Sequence, residues 1–322
     1  MPYEVPYKTK QFFIVLIKLS IVAGALYFIY SKISDNEGLD LREFIDFVKA
    51  QKSLTLKTVG ILIFLSAVNW ILETLKWQYI VKPIQSIRFT NALEQSLGGQ
   101  TAALITPNRI GDYGAKAVYY PKALRKKIVL LNLLGNISQM SATILFGAVG
   151  LIIFISRYTV DIDYYKLGRV VLILVMIGAF FLIGRKTKAI QIRGFGLKQI
   201  TAFFKDLSFS YHLKTLAFSI GRYLVFSFQF YYLLLLFGVE VAYLNAMVVI
   251  STMYLLASIV PTISLFDVVI KGSIALFLFS YVGVNELTIL SITTIMWLLN
   301  FAIPSIFGSY YVLNFKLPEA HQ

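Results

Sequence analysis

Long runs of apolar residues divide the chain and predict membrane-spanning helices. Several runs reach the roughly 18–20 apolar residues that a spanning helix needs. They are continuous rather than alternating, which indicates helices and not the strands of a barrel. We predict six full crossings, at residues 12–30, 59–80, 128–155, 168–184, 214–237 and 287–312. The predicted fold class is therefore an all-α polytopic membrane protein.

Two further apolar regions are interrupted by proline. Residues 92–106 end at Pro107 and residues 243–260 end at Pro261, and a short second arm follows each proline. A helix of about 15 residues spans about 22 Å, less than the hydrocarbon core of about 30 Å. We predict a re-entrant hairpin in each region, at residues 92–120 and 243–283. Two full crossings in each region are the alternative, which the charges of the first returning arm disfavour.

Basic residues predict the orientation of the helices, because cytoplasmic loops carry an excess of Lys and Arg. The loop at 31–57 mixes charges of both signs, and Glu240 and Glu286 border the second proline region, so we place these on the outer side. The first hairpin then enters from the cytoplasm and the second from outside. We predict a multi-pass membrane protein with both termini cytoplasmic. The basic groups assigned to the cytoplasm are Lys8 and Lys10; Lys76, Lys82 and Arg88; Lys122, Arg125, Lys126 and Lys127; and six residues between Arg185 and Lys205.

The two proline regions resemble each other, which predicts an inverted repeat. The first reads LITPNRIGDYGAKAVYY and the second SIVPTISLFDVVIKGSIAL. An aspartate stands five or six positions after each proline, and a lysine stands four positions after that. Opposed repeats with broken helices meeting at mid-membrane are typical of transporters.

This repeat gives the predicted organisation of the chain. We expect one transmembrane domain over residues 1–322: an N-terminal anchor helix and outer amphipathic helix (1–55), a first repeat with hairpin 92–120 (56–155), a linking helix and basic cytoplasmic loop (156–213), a second repeat with hairpin 243–283 (214–312) and a cytoplasmic tail (313–322).

Composition narrows the function classes. The 322 residues are 58% hydrophobic and 14% charged, with a net charge of +14. Soluble domains have about 45–50% apolar and about 25% charged residues. The basic residues crowd at the ends of apolar runs, which indicates anionic lipid headgroups rather than nucleic acid. Cysteine is absent and only His212 and His321 exist, so we expect neither a metal site nor a cofactor.

Charges inside apolar segments are the candidate site, because each costs about 2.5–3.5 kcal/mol on insertion scales. A guanidinium beside a broken helix suits a phosphate oxygen, so Arg109 is the leading headgroup ligand. Lysine four positions after aspartate predicts ion pairs on one helix face. A structural ion network is the competing interpretation. The candidate substrate-binding residues are Glu73, Pro107, Arg109, Gly111, Asp112, Lys116, Arg222, Asp267 and Lys271, with no catalytic residue assigned.

The segment LGGQTAALITPNRIGDYGAKAVYY resembles the signature of the lysylphosphatidylglycerol synthase transmembrane-region family. In that family a Gly-rich apolar arm leads to a Pro-x-Arg-x-Gly-(Glu/Asp) turn and then a basic residue, a pattern matched from Pro107 to Lys116. The second region departs from the family's Gly-rich motif ending in Arg-Glu, since Leu265, Phe266, Ile270 and Lys271 stand here.

The resemblance implies lipid translocation. The family includes the membrane half of the bacterial multiple peptide resistance factor, which moves aminoacylated phosphatidylglycerol between leaflets and is followed there by a soluble aminoacyl-transfer domain. With this resemblance, we expect the chain to lie in the bacterial inner membrane, to move a phospholipid, aminolipid or lipid-linked headgroup there, and not to synthesise it. The alternatives are a membrane transferase on lipid-linked substrates, with Asp112 or Glu73 as base, and a non-transporting partner of a lipid synthase. A separate lipid-modifying enzyme and a second copy of the chain are the compatible protein partners.

Overall fold

The computed structural model describes residues 55–104, 106, 109–159, 191–192, 195–259 and 264–316, together with a few isolated positions before residue 55; at 191–199 and 264–270 it describes the backbone alone. The predicted crossings at 12–30 and 168–184, most of the segment 1–55 and the tail beyond 316 lie outside these residues.

The described residues form two helical units. The first unit contains α1 (Leu56–Val81), α2 (Phe89–Leu104), α3 (Ile110–Val118) and α4 (Lys122–Arg157). Two antiparallel strands of two residues each, β1 (Gln191–Ile192) and β2 (Phe195–Gly196), precede α5 (Leu197–Lys205). The second unit contains α6 (Phe209–Leu236), α7 (Tyr243–Ile259), α8 (Ser264–Ser280), α9 (Glu286–Trp297), a π-helical turn (Leu298–Ala302) and α10 (Ile303–Asn314).

Four of the six predicted crossings are confirmed as helices long and apolar enough to span a membrane. They are Leu56–Val81, Lys122–Arg157, Phe209–Leu236 and Glu286–Asn314, the last containing the π-helical turn. At 1.5 Å per residue even the shortest, of 26 residues, is about 39 Å long. These helices expose large apolar side chains such as Phe64, Ile152 and Phe307, as expected for surfaces that face lipid.

Each proline region folds as two short helices. In the first hairpin α2 contacts α3, and in the second hairpin α7 contacts α8. Serine and threonine caps mark the helix starts elsewhere: Thr55 accepts from the Thr58 N–H at α1, and Ser208 accepts from the Tyr211 N–H at α6. Helix α3, the second arm of the first hairpin, instead starts after Arg109, which has a left-handed backbone (φ of 58°) and makes no side-chain capping bond.

The two units are joined by reciprocal contacts. The first arm of each hairpin packs against the last long helix of the other unit: α2 against α10, and α7 against α4. Both contacts depend on glycine. A Cβ added at Gly308 of α10 would lie 2.2 Å from the carbonyl oxygen of Leu97, and one added at Gly147 of α4 would lie 2.5 Å from Leu255 Cβ. Small residues that let helix backbones approach closely are typical of membrane helix interfaces.

Candidate functional site

A charged triad joins the two units through α1 and α6. Arg222 Nη1 donates to Glu73 Oε2 over 2.7 Å, and Lys76 Nζ lies 2.7 Å from the same oxygen. Glu73 and Lys76 are one helical turn apart on α1, whereas Arg222 comes from α6. Glu73 therefore neutralises one of two cations and orients both.

The position of Lys76 differs from the sequence-based prediction. The charge pattern groups Lys76 with Lys82 and Arg88, the basic residues predicted to follow the second crossing on the cytoplasmic side. The side chain is only 3% exposed and is enclosed by the protein within α1. Its ammonium belongs to the charged triad and not to a cytoplasmic loop, because the helix continues to Val81 before the chain turns.

A line of buried amides continues from the triad. Arg222 Nε donates to Asn69 Oδ1 (3.0 Å), and Asn69 Nδ2 donates to Asn300 Oδ1 (2.9 Å). Asn300 Nδ2 donates to Gln229 Oε1 (2.9 Å), and Gln229 Nε2 ends the line on Ser66 Oγ (2.8 Å) and the carbonyl oxygen of Leu62 (2.9 Å). The amides satisfy one another across α1, α6 and the π-helical turn, as buried polar groups must.

The first hairpin contains a second ionic group. Lys116 Nζ lies 3.1 Å from Asp112 Oδ1, which confirms the i, i+4 pair predicted from spacing. Asn132 of α4 closes a triangle: its Oδ1 accepts from Lys116 (3.1 Å) and its Nδ2 donates to Asp112 Oδ2 (2.8 Å). The ammonium also lies 4.6 Å from the ring centroid of Trp77. Lys116 and Asp112 are thus buried, and each is bonded both to the other and to Asn132.

Gln95 anchors the base of the first hairpin. Its Oε1 accepts hydrogen bonds from Trp77 Nε1 (2.7 Å) and from the Tyr120 hydroxyl (2.9 Å). Burial raises the pKa of Tyr120 to about 12, so the phenol keeps its proton and remains a donor. These bonds fix α2 against α1 and against the start of α4.

Two glycines of α3, the candidate residue Gly111 and the nearby Gly114, differ in what surrounds them. A Cβ added at Gly111 would lie 2.2 Å from the carbonyl oxygen of Ala102, because α3 crosses α2 there. The Gly111 N–H donates to Thr106 Oγ1 (2.8 Å), which in turn donates to the Ala102 oxygen (3.1 Å). Gly114 has no atom within 4 Å of such a Cβ. Of these two positions, only Gly111 needs the absence of a side chain for α3 and α2 to approach each other. Pro107, another candidate residue, lies outside the described residues.

Arg109 is exposed at the turn between the arms of the first hairpin. Its guanidinium donates to Gln100 Oε1, and its Cζ lies 5.8 Å from the centroid of Phe301. Asp112, the nearest acidic residue in the sequence, pairs with Lys116 instead. Among the described residues no carboxylate forms a salt bridge with Arg109.

Phe301 is the point where the two hairpins meet. Lys271 Nζ, on α8 of the second hairpin, lies 5.4 Å from its centroid, while Arg109 of the first hairpin approaches the same ring. An aromatic face attracts a cation electrostatically. Of the second predicted ionic pair, the side chain of Asp267 lies outside the described residues.

The ionic groups form one electrostatic system. Glu73 contacts Lys76 and Arg222, Asp112 pairs with Lys116, and Arg109 lies at the turn of the same hairpin as Asp112. These six groups carry four positive and two negative charges. Their net positive charge favours an anionic ligand.

Two contributors were missed by sequence reasoning. Gln100 and Phe301 hold the Arg109 guanidinium, and neither carried a charge or motif that singled it out. The amide of Gln100 in a Gly-rich apolar arm was the available signal. Within the described residues, no cluster of three or more His, Asp and Glu side chains could hold a metal ion.

Spanning helices, short paired arms and ionic groups buried between two units define a polytopic helical membrane protein with a polar interior. The family described as Lysylphosphatidylglycerol synthase TM region matches residues 15–308, and the chain belongs to that family. A comparison with curated proteins gave no match. The membership relates the protein to lipid modification or translocation and confirms the family resemblance seen in the first hairpin.

Proposed function

We propose that the protein is a lipid translocase of the bacterial inner membrane that moves a phospholipid, aminolipid or lipid-linked headgroup between leaflets. One observation carries the proposal: cations from both hairpins, Arg109 and Lys271, approach the same Phe301 ring at the contact between the two units. A headgroup phosphate between them would accept from a guanidinium, which can donate in a fork, and from an ammonium.

The hairpins are proposed to be re-entrant and the two units inverted. In support, α2 and α7 have 16 and 17 residues, about 24 and 26 Å, which is shorter than the hydrocarbon core of about 30 Å. The reciprocal contacts of each hairpin with the other unit are the pattern that two equivalent repeats give. With the charge-derived orientation, the hairpins would enter from opposite faces, and both termini would be cytoplasmic.

The other candidate site residues have positioning roles in this proposal. Glu73 and Arg222 join α1 to α6, and Asp112 and Lys116 brace α3 against α4. We favour translocation over the transferase alternative because a general base must be able to take a proton, and both carboxylates that sequence reasoning offered are already paired with cations.

Reconstitution tests the proposal. Full-length protein is placed in liposomes with fluorescently labelled phosphatidylglycerol, and leaflet exchange is measured by quenching of the outer leaflet. Arg109→Asn removes the cation while keeping a residue that tolerates the left-handed backbone found at position 109. We expect exchange to fall at least about tenfold, the loss of one charged hydrogen bond.

The control is Lys57→Asn, which removes an exposed cation in the first turn of α1, away from the hairpins. It should leave exchange unchanged. Exchange that is equally fast in Arg109→Asn would refute the headgroup role of Arg109. No exchange by any reconstituted wild-type preparation would favour the non-transporting partner, and covalent change of the lipid would favour the transferase.

A further inference from the structure

A polar pair lies on the open side of the contact between α3 and α4. Asn136 Nδ2 of α4 donates to the Tyr113 hydroxyl of α3 over 2.8 Å. Asn136 is exposed and Tyr113 is half-buried, so a molecule outside the protein can reach the pair. Asn136 lies within the predicted crossing 128–155, about 12 Å along the helix axis from residue 128. The pair therefore belongs to the apolar segment of α4 and not to its end.

An exposed amide is unexpected on this part of α4. Acyl chains can satisfy the hydrogen bonds of neither an amide nor a phenol, so contact with hydrocarbon alone is costly for both. The neighbouring residues follow the ordinary pattern, since Ile137 and Met140 are apolar and are 45% and 42% exposed. Polar side chains inside spanning segments are rare and mark functional positions. Asn136 and Tyr113 therefore need an explanation other than lipid contact.

Asn132, one helical turn before Asn136, shows what a structural amide looks like in α4. It is buried, and its amide bonds both Lys116 and Asp112. Asn136 bonds only Tyr113 among the described residues, which leaves its carbonyl oxygen and one N–H for a ligand. The Tyr113 hydroxyl accepts this bond and keeps its own proton for donation. The pair thus offers donors and acceptors together.

The unused groups match a hydroxyl better than an amine. A hydroxyl both donates and accepts, so it can bond the Asn136 oxygen and the Tyr113 hydroxyl at the same time. An ammonium only donates, and it would also lie near the guanidinium of Arg109, which caps α3 one turn before Tyr113. Asp112, the acidic residue next to Tyr113 in the sequence, is already paired with Lys116. The pair therefore favours a neutral hydroxyl.

We propose that Tyr113 and Asn136 bind the hydroxyl groups of a polyol headgroup while the lipid crosses the membrane. The proposal rests on the proposed translocase function and adds a substrate class: a lipid whose phosphate contacts Arg109 and whose hydroxyls contact the polar pair. Hydroxyls that leave water lose their hydrogen bonds, and the pair replaces these bonds within the apolar segment. The acyl chains of such a lipid fit the exposed apolar surface of α4 at Ile137 and Met140.

Leaflet exchange of matched lipids tests the proposal. Full-length protein is reconstituted with phosphatidylglycerol, phosphatidylinositol, phosphatidylmethanol or phosphatidylethanolamine, each labelled on one acyl chain. The first three carry the same phosphate charge, and of these only phosphatidylmethanol lacks headgroup hydroxyls. We expect at least one polyol lipid to exchange about three- to tenfold faster than phosphatidylmethanol, the effect of one or two neutral hydrogen bonds. The two polyol lipids distinguish glycerol from a ring, and the amine of phosphatidylethanolamine should give no advantage.

Two variants assign the preference to the polar pair. Tyr113→Phe removes the hydroxyl and keeps the ring, and Asn136→Ala removes the amide. Each should slow the favoured polyol lipid to about the rate of phosphatidylmethanol and leave phosphatidylmethanol unchanged. The matched control is Tyr310→Phe, which removes the hydroxyl of a 66% exposed tyrosine on α10 and should preserve the preference. A purely structural pair would instead slow all the lipids by the same factor, which would overturn the proposal.

The outcomes separate this inference from the proposed function. Equal exchange of the polyol lipids and phosphatidylmethanol, lost in Arg109→Asn, supports translocation and overturns the polyol site. A polyol preference that survives both Tyr113→Phe and Asn136→Ala overturns the site as well, and so does faster exchange of phosphatidylethanolamine than of either polyol lipid. No exchange of any lipid contradicts translocation and the polyol site together.

Discussion

Glu73 and Arg222 join the two helical units through one short ion pair, in which Arg222 Nη1 donates to Glu73 Oε2 over 2.7 Å. The same carboxylate oxygen is 2.7 Å from Lys76 Nζ. One partly buried anion therefore serves two cations, of which Lys76 is buried and Arg222 is partly buried. The protein's tolerance of substitution here depends on which of the three charges is removed.

We predict that Glu73→Gln destabilises the protein far more than Arg222→Gln. Loss of the carboxylate leaves Arg222 and Lys76 as two uncompensated cations, whereas loss of the guanidinium leaves Glu73 and Lys76 as a neutral pair. Breaking a buried ion pair by removing one partner costs about 3–5 kcal/mol. Because Glu73 and Arg222 are partly exposed, we expect at most that range for Glu73→Gln, and less than half of the Glu73→Gln loss for Arg222→Gln. The midpoint of thermal unfolding in detergent measures both variants.

The control is Lys57→Gln, which removes an exposed charge from α1 and should leave the midpoint unchanged. Equal losses for Glu73→Gln and Arg222→Gln would mean that Lys76 does not compensate the carboxylate.

We predict that Gly111→Ala disrupts the first hairpin, while Gly114→Ala does not. The two positions share helix α3, but the added Cβ at Gly111 would collide with the Ala102 oxygen of α2, and at Gly114 it would meet open space. Forcing atoms into a packed site costs about 1–3 kcal/mol. Gly114→Ala should be neutral or stabilising by about 0.5–1 kcal/mol, because alanine favours the helix.

Thermal unfolding of the two glycine variants and their leaflet exchange can be compared in the same preparations. Both readouts should fall for Gly111→Ala alone. If the two variants unfold at the same temperature, α3 does not cross α2 as closely as the structure places it.

Hydropathy predicted the spanning helices well, because lipid imposes one dominant constraint on the backbone. The predicted crossing 128–155 lies within α4, which begins six residues earlier, at Lys122. Four of the residues at 122–127 are basic, so a hydropathy window excludes this segment although the helix includes it. Helix ends that lie beyond the apolar run are therefore the part of the fold that hydropathy misses.

Local spacing predicted the ionic pair within α3 but not the pairs between units. Asp112 and Lys116 are four residues apart, so helical geometry alone brings them together. Glu73 and Arg222 are separated by 149 positions, and only the packing of α1 on α6 joins them. Sequence reasoning identified both as unusual buried charges, yet it could not make each the partner of the other.

The π-helical turn was not predicted, and Pro304 is its sequence signal. Proline has no N–H, so position 304 cannot donate to the carbonyl oxygen of Asn300 four residues earlier. Trp70 Nε1 of α1 donates to that oxygen instead, over 3.2 Å. At the same turn the Ile303 N–H reaches back five residues to the Leu298 oxygen. The turn places the Asn300 amide in the buried line and the Phe301 ring between the hairpins.

We predict that the cost of Trp70→Phe depends on residue 304. In the natural sequence, the substitution leaves the Asn300 oxygen buried without its donor, which costs about 1–3 kcal/mol beyond the lost packing. In a Pro304→Ala background, the restored N–H at 304 can take that oxygen, so only the packing loss remains. A double-mutant cycle of unfolding midpoints isolates the difference, because the loss of indole volume is common to both backgrounds. An equal cost of Trp70→Phe in the two backgrounds would show that the indole does not replace the proline's missing donor.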